Sequence, residues 1–253
     1  MIILLSNDDG IHSDGIIALE NSLQHVGEVY TVAPDREQNS MSHALTLHRP
    51  LRVLDMGPRR FAVDGTPTDC VKLALTGLLP VRPDLVVSGI NKGPNLGDDI
   101  IYSGTVSAAI EGALLGIPAI AVSLVTFENF QFQTAADFAA TLVSRIQEKG
   151  MPLETLLNAT FLPCQRNKSK VGGSPGRASG TIVKTSSNGR TRAARNTTGL
   201  EATTWDSPMT TAPIAWRSTK VTSPSLPCKS ISRTTSCCRK AMCLTLTGHN
   251  AKP

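Results

Sequence analysis

Short apolar runs alternate with amphipathic stretches along the first 158 residues of the chain. Continuous apolar runs, which are typical of buried strands, lie at residues 2–6, 28–34, 83–89 and 117–125. Apolar residues at helical spacing predict helices at residues 14–25, 68–79, 105–115 and 133–149. A further short strand is predicted at residues 61–67, and the alternation over residues 43–54 predicts an extended segment.

This order of elements predicts the fold class. Strands that alternate with helices form βαβ units, which build a parallel sheet with helices on both faces. The predicted strands are almost continuously apolar, as strands buried on both sides must be. A domain of about 150 residues buries roughly 70% of its unfolded surface, so this part is long enough to fold alone. We therefore expect an α/β fold, a three-layer α/β/α domain with a mainly parallel sheet.

The composition of the chain changes abruptly near Asn158. Residues 1–158 contain 18 acidic residues and 10 Lys or Arg, whereas residues 159–253 contain 2 acidic and 15 basic residues. The overall pI of 9.0 therefore describes neither part, and it does not indicate binding of nucleic acid. We expect two regions, a folded domain at 1–158 and a basic segment at 159–253.

Two interpretations of the basic segment stay open. Ser and Thr make up 28 of its 95 residues, and no strand or helix period is sustained. Such a composition buries too little apolar area to offset its ordering entropy, which predicts an irregular, disordered tail. The other interpretation is translation out of frame, which is favoured because the change is abrupt and falls within the apolar stretch at 153–161. The reading frames of the DNA distinguish the two.

The pattern also excludes several classes of protein. No run approaches the roughly 20 apolar residues of a membrane-spanning helix, and the first residues lack the basic region of a signal peptide. Cys70 is the only cysteine in residues 1–158, and the five later cysteines lack the paired spacing of a zinc site. We therefore expect a reduced, cytoplasmic protein with no membrane partner.

Candidate chemistry follows three of the predicted strands. Ligands of open parallel sheets bind beyond the carboxyl ends of the strands, which selects the loops at 7–13, 34–42 and 89–103. Asp8 and Asp9 are adjacent in the first loop, and two carboxylates held together repel unless a cation lies between them. Oxygen ligands of this kind suit Mg²⁺ or Mn²⁺. A helix N-cap or an Asx turn is the alternative role for these two residues.

The third loop adds further polar groups. The amide oxygens of Asn91 and Asn95 are candidate ligands of the same cation, and turn formation is the alternative for both. Asp98 and Asp99 are expected to cap or approach the helix that begins near residue 104 rather than to bind the cation.

The start of that helix predicts an anion site. Ser103, Gly104 and Thr105 combine free N–H groups with two hydroxyls, although a plain N-cap would use the same residues. The chain has no GxGxxG after its first strand and no GxxxxGK[ST] loop, so dinucleotide and P-loop sites are not predicted.

Other polar residues near these loops are expected to have structural or solvent-exposed roles rather than catalytic ones. His12 and His43 are expected to be solvated loop histidines rather than proton donors to a leaving group. Arg36 is expected to pair with a neighbouring acid such as Asp35 or Glu37 rather than with a phosphate. The motif GTPTDC at 65–70 predicts a turn followed by a helix N-cap.

Four motifs resemble the SurE survival-protein family in their residues, order and spacing. They are SNDDG at 6–10, APDR at 33–36, GTPTDC at 65–70 and VVSGINKGPNLGDDIIYSGTVSAAIEGALLGIPAIAVS at 86–123. The resemblance covers residues 1–158 and does not extend into the basic segment. It implies a Rossmann-like domain and a metal-dependent 5′/3′-nucleotidase that hydrolyses nucleoside monophosphates, and some members of the family also act on short polyphosphate. It further implies homodimers or homotetramers that form through a C-terminal extension, which this chain does not match.

The resemblance also implies a site. The metal ligands of the family correspond to Asp8, Asp9 and Asn91, and one Mg²⁺ or Mn²⁺ per subunit is implied. The fourth ligand of the family is a serine, whereas Asn39 stands at the matching position here and Ser40 follows it. Asp8 and Asp9 are expected to be catalytic. The residues expected to bind the phosphate of a nucleoside monophosphate are Asn95, Ser103, Gly104 and Thr105.

Two other outcomes stay open. A phospho-receiver module also carries paired acids after its first strand, but it needs an acceptor aspartate at the end of a later strand, where this chain has Ser88 and Asn91. The other outcome is an inactive or poorly assembled product of a frameshifted gene. The sequence indicates neither a general acid nor a preferred base.

Overall fold

The strands form one mixed sheet. The computed structural model describes residues 1–125, 130–151, 155–162, 177–184 and 201–208. The strands are β1 (Ile2–Ser6), β2 (Glu28–Pro34), β3 (Val53–Asp55), β4 (Arg60–Val63), β5 (Leu85–Lys92), β6 (Ala119–Leu124), β7 (Thr155–Leu162), β8 (Arg177–Lys184) and β9 (Glu201–Pro208). Their spatial order is β3-β4-β2-β1-β5-β6-β7-β8-β9. The pairings from β4 to β7 are parallel, whereas β3, β8 and β9 pair antiparallel.

Helices cover both faces of the parallel strands. They are α1 (Asp14–Leu23), α2 (Pro67–Leu73), α3 (Gly104–Leu114) and α4 (Phe132–Lys149). Successive side chains of a strand point to opposite faces, so Ile3 and Leu5 pack with α1 and α4, while Leu4 packs with α2 and α3. Two apolar cores therefore lie on the two sides of the sheet, as the three-layer prediction requires.

The chain reverses its direction across the sheet at β1. It runs from β1 to β2 and β4 on one side, then crosses to β5, β6 and β7 on the other. Such a reversal opens a crevice at the carboxyl ends of the two strands that flank it, here β1 and β5. The loops after these strands are two of the three that the sequence selects.

Most elements confirm the sequence predictions. Strands β1 and β2 have the predicted bounds, and the four helices lie in the predicted segments. The motif at 65–70 forms the predicted cap, since the Thr66 hydroxyl accepts from the Asp69 N–H while the Asp69 carboxylate accepts from the Thr66 N–H. Helix α2 is shorter than predicted. It ends at Leu73, and a π-helical turn follows at Ala74–Leu78, in which Gly77 departs from the helical conformation.

The extended segment predicted at residues 43–54 becomes a strand only at its end. Only residues 53–54 of it belong to a strand, the short β3. The backbone of the preceding residues bonds to side chains instead: the Thr46 N–H donates to Asp69 at 2.9 Å, and the Arg52 N–H to Asp64 at 2.7 Å. Carboxylates from other elements thus occupy donors that a neighbouring strand would otherwise pair.

The basic segment contains more regular structure than its composition predicts. Strand β7 continues to residue 162, with Ala159 and Phe161 in the apolar core beyond the predicted boundary at 158. Strand β8 pairs with β7 and β9 with β8, so two tail segments extend the sheet. Strand pairing satisfies backbone donors and acceptors whatever the side chains, which explains how residues with little apolar area join a sheet edge. The rest of the tail, predicted to be irregular, lies outside the described residues.

Candidate metal and phosphate site

The two adjacent aspartates lie in the crevice between β1 and β5. The parallel register pairs Ser6 with Ser88, so the loops after both strands begin side by side. The Nζ atom of Lys92, at the end of β5, lies 4.0 Å from Oδ1 of Asp9. An ammonium group therefore faces the carboxylate pair. The loop after β1 does not use these aspartates to cap α1, because Ser13 is the N-cap residue.

A bulge in β5 presents Asn91 at the same edge. The pairing with β6 shifts between Ser88 and Asn91, and Gly89 has a φ of 139° in the irregular stretch. A Cβ atom at Gly89 would overlap the backbone oxygen of Val122, so the close approach of β5 and β6 requires glycine there. The Asn91 side-chain nitrogen donates to the Gly93 oxygen at 3.0 Å. Its carbonyl oxygen is then the group left for a ligand.

The start of α3 packs directly on Asp8. The Thr105 hydroxyl and the Thr105 backbone N–H both donate to the Asp8 carboxylate. A Cβ atom added to Gly104 would lie 2.8 Å from the Asp8 Cβ, so only glycine lets the helix approach this closely. The Ser103 hydroxyl accepts from the Val106 N–H at 3.1 Å and caps the helix. The predicted anion site and the predicted cation site are therefore neighbours.

The loop after β2 borders Asp8 on a third side of the site. The Gln38 N–H donates to the Asp8 backbone oxygen at 2.7 Å, which ties this loop to the first. Asn39 is exposed, and its side-chain nitrogen donates to Glu37 at 2.6 Å, again leaving the amide oxygen. Ser40 is exposed as well and has a φ of 56°. The three loops selected from the sequence thus meet around Asp8.

Burial raises the pKa values of both aspartates, and repulsion from neighbouring carboxylates adds to the shift. Burial raises the pKa of Asp8, and the hydrogen bonds from Thr105 oppose this shift. Burial, reinforced by the charge of Asp8, raises the pKa of Asp9 to about 6, although Lys92 lowers it. Two buried carboxylates that resist ionisation are electrostatically suited to a bound cation, which removes the repulsion.

The donor set fits a divalent cation. The Oδ2 atom of Asp9 is buried without a hydrogen-bond partner among the described residues, and a buried unpaired carboxylate oxygen is costly. The amide nitrogens of Asn91 and Asn39 donate hydrogen bonds to protein groups, which leaves the amide oxygens of both side chains as candidate ligands. Two carboxylates and amide oxygens form an oxygen-only set of the kind that Mg²⁺ and Mn²⁺ take. No cluster of three His, Cys, Asp or Glu residues suited to a metal occurs in the described part of the chain.

Asn95 is buried near the end of β6 rather than free in its loop. Its side-chain nitrogen donates to Ser123 at 2.8 Å, and its backbone oxygen accepts from Asn158 at 2.8 Å. These bonds anchor the loop after β5 to β6 and β7. Asp98 and Asp99 do not cap α3, because Ser103 supplies the cap. They approach the helix, as the other half of that prediction has it, in an exposed 3-10 turn at Gly97–Ile101 that precedes it.

Two charged groups near the site were not predicted from the sequence. Lys92 was not singled out, although it directly follows Asn91 in the bulged end of β5. Glu37 lies close enough to raise the pKa values of both Asp8 and Asp9. The sequence alone does not show that Lys92 and Glu37 lie near the aspartates, because the sheet brings together loops that are far apart in the chain.

His43 is exposed in its loop, as the sequence predicts, but it also contacts a buried acid. Its Nε2 atom lies 2.8 Å from Oε2 of Glu111, a buried residue in the middle of α3, and Lys72 of α2 lies 3.8 Å from the other Glu111 oxygen. A buried carboxylate requires partners, and here the loop after β2 supplies one. The prediction for Arg36 is confirmed, since its Nε atom pairs with Asp35 at 2.9 Å. His12 is exposed, as predicted.

Comparison with known proteins identifies the family. A model of the family described as "Survival protein SurE" matches residues 3–178. The chain belongs to the SurE family. A "5'-nucleotidase SurE" of Geotalea daltonii is 53% identical over 188 residues, which cover 72% of this chain and 76% of that protein. One from Syntrophotalea carbinolica is 56% identical over 160 residues, or 62% of this chain and 64% of that protein.

A solved structure supports the fold as well. The crystal structure of the SurE protein from Aquifex aeolicus is 37% identical, covers 82% of both chains and superimposes with a TM-score of 0.63. The SurE resemblance stated from the motifs is therefore confirmed, and the family match continues 20 residues beyond the boundary predicted at residue 158. No helix among the described residues has the length and apolarity that crossing a membrane requires.

Proposed function

We propose that this SurE chain is a 5′-nucleotidase, a phosphomonoester hydrolase that releases phosphate from nucleoside 5′-monophosphates. The observation that carries the proposal is the pair of buried carboxylates at the β1–β5 crevice, one oxygen of which has no partner among the described residues, next to a helix start. Relatives of which this chain covers about two thirds to three quarters are named 5'-nucleotidase SurE. On this proposal, the crevice would supply the cation ligands and the anion site that such a reaction needs.

The cation would be held by Asp8, Asp9, Asn91 and either Asn39 or Ser40. When bound, a divalent ion such as Mg²⁺ or Mn²⁺ acts as a Lewis acid that polarises the phosphoryl group. Asp8 is held in place by its bonds from Thr105, whereas Asp9 has the free buried oxygen. The catalytic aspartates thus differ in freedom, because one is fixed by α3 and the other is available to the ligand.

The phosphate would lie at the start of α3. Helix N-termini attract anions through their free N–H groups and the helix dipole. Thr105 already donates to Asp8 and Ser103 caps the helix, so these two side chains chiefly position the site, while Gly104 allows close approach. Asn95 contributes by fixing its loop, and Lys92 offers a positive charge to the transferring phosphoryl group. In the reaction, water attacks phosphorus, the ester P–O bond breaks, and the nucleoside oxygen takes a proton.

The test is phosphate release from AMP and GMP by the full chain, first with Mn²⁺ or Mg²⁺ and then with EDTA. We expect release with either ion and its loss on chelation, followed by recovery when the ion is restored. Release that is unchanged by EDTA would contradict the metal site. No release from folded, metal-supplied protein would contradict the proposed activity.

Several finer features are part of the same proposal. They are activity on 3′-monophosphates and short polyphosphate, assembly as a homodimer or homotetramer, and residence in the cytoplasm. The same assays, run with 3′-AMP and with tripolyphosphate, test the activity on 3′-monophosphates and on short polyphosphate. Light scattering of the purified chain tests assembly. A frameshifted and inactive product is the alternative, and absence of turnover together with a monomeric state would favour it.

A further inference from the structure

A second cavity opens beside the carboxylate pair. It has a volume of about 930 Å³ and lies between the start of α1, the end of β5 and the start of α4. Its lining combines two aromatic rings with charged and amide groups. The lining residues are Asp14, Ala18, Lys92, Phe130, Gln131, Phe132, Gln133 and Thr134.

Two stacked rings form one wall of this cavity. The ring centroids of Phe130 and Phe132 are 5.4 Å apart, and the ring planes differ by only 6°. Phe132 is buried, with its Cε1 atom 3.3 Å from the position of a Cβ on Gly15, so α1 holds it firmly. Phe130 is 39% exposed and leaves one large apolar ring in contact with solvent. Exposed aromatic rings beside polar groups are common in ligand sites.

The wall is held rigidly to the rest of the domain. The Gln133 side-chain nitrogen donates to Ser22 of α1 at 3.0 Å and to Asp137 at 2.8 Å, and the Ser22 hydroxyl donates to Asp137 at 3.0 Å. Two of these bonds join the first turns of α4 to α1, and the third, between Gln133 and Asp137, lies within α4. A site on such a fixed support costs little ordering entropy when a ligand binds.

Lys92 joins this cavity to the carboxylate site. It lines the cavity, and its Nζ atom lies 4.0 Å from Oδ1 of Asp9. A substrate whose phosphate lies against the carboxylate-bound cation would therefore have the cavity beside it. The remainder of that substrate must then suit an aromatic wall, an acid and amides.

We propose that this cavity binds the nucleoside part of the substrate, with the base stacked on Phe130. The inference rests on the proposed nucleotidase function and adds to it the residues that distinguish a nucleotide from a plain phosphate ester. Every base has an aromatic face that stacks on a ring of this kind, so the wall itself favours no particular base. Asp14, which lines the same cavity, would supply an acceptor for the ribose hydroxyls.

The first test compares AMP with ribose 5-phosphate, which lacks the base. Replacing Phe130 by Leu keeps an apolar side chain but removes the ring, so kcat/KM for AMP should fall about tenfold while that for ribose 5-phosphate is unchanged. Phe130→Tyr restores an aromatic ring and should recover most of the activity on AMP. Leu114→Ala, which truncates an exposed apolar residue at the end of α3, is the matched control and should change neither substrate.

The results separate this inference from the proposed function. Equal effects of Phe130→Leu on both substrates, or no effect on either, would overturn the base site while leaving the nucleotidase intact. No release from any substrate by the wild-type chain would overturn both.

A binding measurement avoids turnover altogether. Adenosine, titrated calorimetrically into the wild-type chain, should bind, and its Kd should rise about tenfold in Phe130→Leu but not in Leu114→Ala. The same Kd in Phe130→Leu and wild type, or no heat of binding with either, would contradict the base site.

Discussion

At the scale of single residues, three buried aspartates are stabilised in three different ways. Asp8 accepts from the hydroxyl and backbone N–H of Thr105, whereas Asp9 has a buried oxygen with no partner in the described part of the chain. Asp64 accepts from the Arg52 N–H and pairs with Arg49 and Arg52 at 2.9 and 3.0 Å. A carboxylate with complete partners stabilises the fold, and one without them is available for chemistry.

The hydroxyl of Thr105 can be removed without changing the shape of its side chain. Thr105→Val leaves the buried Asp8 carboxylate short of one donor, which should cost about 1–3 kcal/mol of stability. The displaced carboxylate should also lower kcat by about tenfold. Thr105→Ser keeps the hydroxyl and serves as the control. Denaturant unfolding and phosphate release from AMP check both effects, and equal kcat values in the Val and Ser variants would contradict this role of Thr105.

Asp64 predicts a pH dependence of stability that lies away from the crevice. The Arg52 N–H, together with Arg49 and Arg52, lowers the pKa of Asp64 from 3.8 to about 2. The ionised carboxylate therefore stabilises the fold fully above about pH 4, and this contribution fades as the pH falls towards 2. The Asp64→Asn variant should be less stable than wild type at pH 7, and the difference should shrink below pH 4. Urea unfolding of both proteins from pH 7 to 3 measures it; a difference that grows with acidity would contradict the pairing.

At the scale of elements, helix α3 contacts both the buried Asp8 and the segment after β2 that carries His43. Its first turn contacts Asp8, its middle carries Glu111, which pairs with His43, and its Gly112 packs on the sheet. A Cβ on Gly112 would lie 2.7 Å from the Val86 side chain. Two glycines thus set the distance of one helix from two different neighbours.

Substitutions at these two glycines distinguish an effect on activity from an effect on packing. Gly104→Ala and Gly112→Ala should each destabilise the fold by about 1–3 kcal/mol through overpacking, offset in part by the helix preference of Ala over Gly. Only Gly104→Ala pushes against Asp8, so only this variant should lower kcat of the folded protein. The measurement is kcat below the unfolding transition of each variant. Equal kcat values for the two variants would show that the close approach at residue 104 does not matter to the chemistry.

The elements that could be predicted from sequence are those that local pattern determines. Strands β1 and β2 end where apolar runs meet the polar NDDG motif and Pro34, so their bounds follow directly. The segment before β3 differs because Asp64 and Asp69 take its backbone donors, which no local pattern signals. The approach of Lys92 to Asp9 and of His43 to Glu111 likewise depends on chain crossings. The polar loops were predictable, whereas the pairings between them were not.

At the scale of the whole molecule, the reversal of the chain at β1 brings the polar loops together. The tail adds two strands at the edge of the sheet beyond β7. Strand β7 keeps its parallel register with β6 through Phe161, which is buried. The basic composition takes over just beyond this point, and β8 and β9 add to the sheet by antiparallel backbone pairing. The crevice lies on β1 and β5, three strands away from β8.

The out-of-frame interpretation of the tail predicts a specific result. If it is correct, one of the other two reading frames of the DNA beyond the family match, which ends at residue 178, should encode a segment that resembles the SurE family. Sequencing the gene and translating all frames measures this directly. A natural basic tail predicts instead that neither alternative frame continues the family resemblance and that each soon reaches a stop codon.

The central claim is that the buried pair Asp8 and Asp9 performs metal-dependent phosphate release. The most direct test is turnover of AMP with saturating Mn²⁺ by Asp9→Asn, beside Asp55→Asn, which alters an exposed aspartate of β3. We predict a loss of about a hundredfold or more in kcat for Asp9→Asn and an unchanged rate for Asp55→Asn, with both variants folded. A near-normal rate in folded Asp9→Asn would contradict the assignment of the chemistry to this crevice.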